Sequence, residues 1–128
     1  MKTRLLFLMS VIILLGVLTM SAQDKKSKET SVTGEVIDVK CMLTGMMGGH
    51  GEDHKQCAID CIKGGLPIGI LEDKTEKIFT TVPKKGMGGA ANDSLLMSLI
   101  SEKVKLTGAF AEKGGTRLFI YTNVEATK

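Results

Sequence analysis

A mostly β fold is what this sequence predicts: five strands closing into a small barrel, one short helix between strands one and two, and a second between strands three and four. Three observations predict it. β-branched and apolar residues recur in short alternating runs, as in "SVTGEVIDVK". Tight polar or glycine turns, "EDKTE" and "KGG", join the later runs in pairs. "DSLLMSLIS" instead sets Leu95, Leu96, Leu99 and Ile100 at helical spacing.

Taken in order, the first strand runs from about Val32 to Lys40, with Val32, Gly34, Val36 and Asp38 on one face and Thr33, Glu35, Ile37 and Val39 on the other. A glycine-rich loop, "LTGMMGGHGED", follows. "DHKQCAIDCIKGG" reads as a short helix starting near Glu52 or Asp53 and stopped at Gly64 and Gly65. "LPIGILE" and "KIFTTV" form a hairpin, "PKKGMGGAAN" is a second loop, and Asn92 or Asp93 caps the next helix. "KVKLTGAFAE" and "TRLFIYTNVE" close the chain as another hairpin. Five strands with a helix between the third and fourth is the order of an OB-fold barrel, and "VTGEVIDV" with the closing hairpin resembles the first and last two strands of small OB-fold domains. A glycine inside each suits sharply bent barrel strands. An open α+β sheet of four or five strands is the alternative.

The 128 residues hold one domain at most. "MKTRLLFLMSVIILLGVLTMSAQ" has a basic start (Lys2, Arg4), an apolar run from Leu5 to Leu18, and small residues at Ser21 and Ala22. That is the layout of a secretory signal peptide over residues 1–22, and the apolar run falls short of the roughly 20 residues that span a bilayer as a helix. Residues 23–31 read as a polar tether and 32–126 as the domain, expected to be periplasmic or secreted, with no stable membrane anchor after cleavage and no cysteine near the cleavage region to carry a lipid. Removing the leader leaves 15 basic against 14 acidic residues, a net charge of +1. Nucleic acid is therefore not an expected partner, since phosphate binding needs clustered Lys and Arg.

Chemistry concentrates in "CMLTGMMGGHGEDHKQCAIDC", which holds all three cysteines, both histidines and three of the eight methionines. On a helix at about 100° per residue, His54, Cys57 and Cys61 fall within about 60° of one face. The glycine loop can fold Cys41, at the end of the first strand, over that face. Three thiols and an imidazole then form a candidate site for a soft metal ion, copper or zinc. His54 and Cys61 stand about 10 Å apart along a regular helix. Both therefore ligate one ion only if the helix is irregular at His54, which leaves His50 as an equal candidate for the fourth position. Met46, Met47 and Met87 are possible further soft ligands or flexible apolar filler at the barrel mouth. Asp38 and Asp60 are candidate outer acceptors behind the cysteines.

The arrangement "GEVIDVKC", "HKQCAIDCIKGGLPIGIL" and "VKLTG" resembles a group of small exported bacterial proteins with the pattern Gly-x-Val-x-Asp-x-x-Cys, His-x-x-Cys-Ala-x-x-Cys, Gly-x-Pro. The resemblance marks Gly34, Asp38, Cys41, His54, Cys57, Cys61, Gly65 and Pro67 and implies a shared fold and site. This chain departs from it at Met42, where the pattern leads one to expect an aromatic residue.

The expected function is that of an exported metal-binding protein, with a metal ion and a second exported protein as partners. No constellation of base, nucleophile and oxyanion donors is visible, so an enzyme is not expected. Two other readings stay open. One is a binding module for a peptide, glycan or protein, stapled by a disulfide from Cys41 to Cys57 or Cys61. The other is a thiol redox protein acting through Cys57 or Cys61, which requires a depressed thiol pKa.

Overall fold

The computed structural model describes residues 28–85 and 94–127. The expected signal peptide, Met87 and the caps at Asn92 and Asp93 lie outside the described residues.

The strands are β1 (Thr30–Asp38), β2 (Ile68–Glu72), β3 (Ile78–Pro83), β4 (Lys103–Lys113) and β5 (Thr116–Ala126). The helices are α1 (Val39–Thr44), α2 (Lys55–Lys63) and α3 (Ser94–Ser98), with single 3-10 turns at Met46–Gly48 and Glu52–His54. The strands hydrogen-bond in the order β1-β2-β3-β5-β4, and β4 returns to β1 to close the ring. The open-sheet alternative is thereby excluded. All neighbours run antiparallel except β3 and β5, which are parallel.

Closure depends on β1, which serves two neighbours. Its first half pairs with β4, from Thr30 opposite Gly108 to Glu35 opposite Lys103. Its second half pairs with β2, from Gly34 opposite Glu72 to Asp38 opposite Ile68. The two pairings overlap at Gly34 and Glu35, where the strand must bend. A Cβ at Gly34 would lie 2.0 Å from the Leu71 carbonyl oxygen, so only glycine allows that approach. The strand also begins two residues earlier than the sequence suggests: Thr30 and Ser31, read as tether, are paired with β4.

Inward residues follow the expected alternation. Val32 and Val36 from β1 meet Ile68 and Ile70 from β2, Phe79 from β3, Val104 and Leu106 from β4, and Phe119 and Tyr121 from β5. Phe79, Phe110 and Phe119 stack edge to face at 4.9 Å, and the Arg117 guanidinium lies 3.8 Å over Phe110. The few aromatic rings thus pack on each other. At the closing hairpin Gly114 and Gly115 both take positive φ, 59° and 81°, the conformation that a two-residue hairpin turn demands.

The second helix is shorter than its sequence pattern. Leu96 is buried, but Leu95 is half exposed. Ile100 has left the helix to form a parallel bridge to Val36, and the Ser101 N–H donates to the Val36 carbonyl. Backbone pairing to β1 outweighs one more turn of a short helix.

Candidate metal centre

The site is built by the connection from β1 to β2. At the end of β1, the Asp38 side chain turns the chain: its Oδ1 accepts from the Cys41 N–H at 2.8 Å and caps α1, a contact that contributes about 1 kcal/mol. Cys41 therefore sits on a helix, where the sequence suggested the end of a strand. Gly45, in the left-handed region at φ 67°, stops α1 after six residues.

The glycine loop then folds back as expected. Gly49 takes φ 79°, and a Cβ there would lie 2.9 Å from the Met42 Cα. Glu35, from β1, holds the far end of the loop. One of its carboxylate oxygens accepts from the Gly51 N–H at 2.6 Å, and the other lies 3.2 Å from His50 Nδ1. The Ser101 hydroxyl donates to the Gly51 carbonyl at 2.9 Å. His50 is thus a half-exposed partner of Glu35 and belongs to neither of the donor groups among the described residues. Met46 and Met47 are exposed on this loop, 44% and 68%, so they do not fill the barrel mouth.

From that anchor the chain enters the 3-10 turn Glu52–His54 and then α2. The helix type changes at His54, yet His54 and Cys61 still do not fall in one donor group. α2 buries Ala58 and Ile62 in the core, four residues apart on one face. Cys57 and Cys61 precede them by one residue each, so they form the adjacent row, half-buried and turned toward Cys41.

The donors form two sets. Ligand atoms of Cys41, His54 and Cys57 lie within 4.8 Å of one another, and so do those of Asp38, Cys41 and Cys61. Cys41 Sγ is 3.8 Å from Cys61 Sγ. Two sulfurs on one tetrahedral ion with bonds of about 2.3 Å stand about 3.8 Å apart, so this spacing suits shared ligation. All three cysteines are free thiols. Asp60 is exposed, and one of its carboxylate oxygens accepts from Gln56 at 3.0 Å.

Asp38, Cys41 and His54 are each fully buried. Asp38 Oδ2 and both ring nitrogens of His54 have no hydrogen-bond partner among the described residues. An unmet buried polar group costs about 1–3 kcal/mol, so three in one small volume is a local deficit that a bound ion would relieve.

No protein family model, curated protein or solved structure matches the chain. What the site can do therefore rests on its own chemistry.

Burial pushes the Cys41 thiol up to about 12 from an ordinary 9.0, helped by its hydrogen bond with Cys61 and the charge of Asp38. Burial also raises Cys57, with Cys61 adding to the effect. Without an ion these two thiols keep their protons near neutral pH, and a metal must expel them, so affinity rises with pH. Reactivity should follow burial. In metal-free protein at about pH 8, iodoacetamide is expected to modify the half-exposed Cys57 and Cys61 and to leave Cys41 untouched until denaturant is added. Equal labelling of all three in the folded chain, read by peptide mass, would contradict the buried position of Cys41.

Proposed function

We propose that this chain is a small exported metal-binding protein, an OB-like barrel that holds a soft transition-metal ion, copper or zinc, in a Cys/His site. The observation that carries the reading is His54: a fully buried imidazole with neither nitrogen partnered among the described residues, set beside the thiols of Cys41 and Cys57. Sulfur and imidazole donors favour zinc or copper over magnesium or calcium, which take oxygen. The strand order and the parallel β3–β5 pair support the OB-like reading, in which the first connection flanks the usual binding face. The basic and apolar pattern of residues 1–22 supports export. The resemblance to small exported bacterial proteins supports it as well, because all eight residues it marks belong to β1 or to the connection that carries the cluster. The role is to handle or sense the ion, or to be stabilised by it.

The thiol redox reading is less well supported, because Cys41 and Cys57 are shifted upward, away from the thiolate that such chemistry needs. Native mass measurement on protein purified without chelators tests the proposal. The expected result is a copper or zinc adduct that is lost on denaturation and leaves three alkylatable thiols. A metal-free chain lighter by two hydrogens, with a single alkylatable thiol, would overturn it in favour of the disulfide-stapled binding module.

A further inference from the structure

The donor atoms exceed what one ion needs, and they fall into two sets that share a single atom, Cys41 Sγ. We infer that the site takes two divalent ions bridged by the Cys41 thiolate, one on His54 and Cys57 and the other on Asp38 and Cys61, with Asp38 as a direct ligand. This deepens the metal-binding reading and rests on it.

Three observations carry it. Asp38 is fully buried and already spends Oδ1 on the α1 cap, yet Oδ2 has no partner among the described residues, and a carboxylate oxygen of Asp38 lies within 4.8 Å of both Cys41 Sγ and Cys61 Sγ. An outer acceptor would instead bond the N–H of a ligating side chain. Second, a thiolate sulfur has lone pairs enough to bind two ions, and Cys41 lies between its two groups of neighbours with no exposed surface. Third, the charge balances. Three thiolates and one carboxylate bring four negative charges, the imidazole none, and two divalent ions bring four positive charges. A single divalent ion offsets two of these four charges, and the donors it leaves out stay as protonated thiols or as a buried carboxylate with no counter-ion, which is costly.

The balance also selects the ion class. Two monovalent copper ions would leave the same deficit, whereas two zinc ions give a neutral cluster. Each zinc would have three protein donors, and the half-exposed rims at Cys57 and Cys61 leave room for water in the fourth position.

The test counts zinc by native mass as zinc ions are titrated into the metal-stripped protein, purified as the cell delivers it, with urea melts verifying that each variant folds. Two ions per chain are expected in the unsubstituted protein. Asp38→Asn keeps an oxygen to cap α1 and removes the anionic ligand; Cys61→Ser changes a half-exposed position. Each should bind one ion, and so should Cys57→Ser. One ion in the unsubstituted chain, or two retained in both Asp38→Asn and Cys61→Ser, would overturn the two-ion inference and leave the metal-binding reading standing. No ion at all would overturn both. If Asp38→Asn fails to fold, the Cys61→Ser count decides.

Discussion

Replacing Cys41 with serine is expected to abolish metal binding while the chain still folds. Cys41 is the one residue that belongs to both donor sets, so its loss leaves at most two donors around either position. A serine hydroxyl is a poor ligand for a soft ion, because it neither ionises near neutral pH nor offers sulfur. Loss of an outer partner behind a metal ligand typically costs 10- to 100-fold in affinity, so loss of a shared ligand should cost more than about 100-fold. The cap on α1 survives, because Asp38 accepts from the backbone N–H at position 41. Competition against a chromophoric zinc chelator, with a urea melt of the metal-free variant, separates the two effects. A variant that binds within about threefold of the unsubstituted protein would show that the ion sits elsewhere.

Gly34→Ala should be among the most damaging small substitutions in the ring, with Gly108→Ala beside it. The added methyl would meet the Leu71 carbonyl oxygen at 2.0 Å and its carbon at 2.7 Å, both backbone atoms of the paired strand. Relief requires β1 and β2 to separate where β1 changes partners. Overpacking ordinarily costs about 1–3 kcal/mol, and a clash with backbone at a seam belongs at or above the upper end. Gly48→Ala is the matched control. It has φ 83° but open space around it, so it should lose only about 1–2 kcal/mol. Urea midpoints for the two variants check the ranking, and equal midpoints would mean that the seam yields more easily than the distances imply.

Much of this architecture was legible because β1 and the closing hairpin alternate cleanly, and because helical spacing put His54, Cys57 and Cys61 on one face. The turn at Asp38 was not. Asp38 and Gly45 are sound start and stop signals for a short helix, but the β-branched Val39 extended the strand pattern over them and left Cys41 at a strand end. The position of His50 depends on Glu35, fifteen residues away, and no local pattern reports that contact. The division of the donors into two sets was equally hidden, since it follows from a 3-10 turn at His54 and from Asp38, which in sequence reads as an outer acceptor behind the cysteines rather than as a donor beside them.

The two halves of this design differ in reach along the chain. Every donor lies between Asp38 and Cys61, whereas the ring is shut by joining Thr30 to Gly108. Contacts between near neighbours form faster than those across most of a domain, because less chain entropy must be lost first. The donor loop can therefore assemble before the last seam forms. On the proposed metal-binding reading, the chain would meet the ion as an open loop rather than as a finished ring, and ring closure would bury what had already been captured.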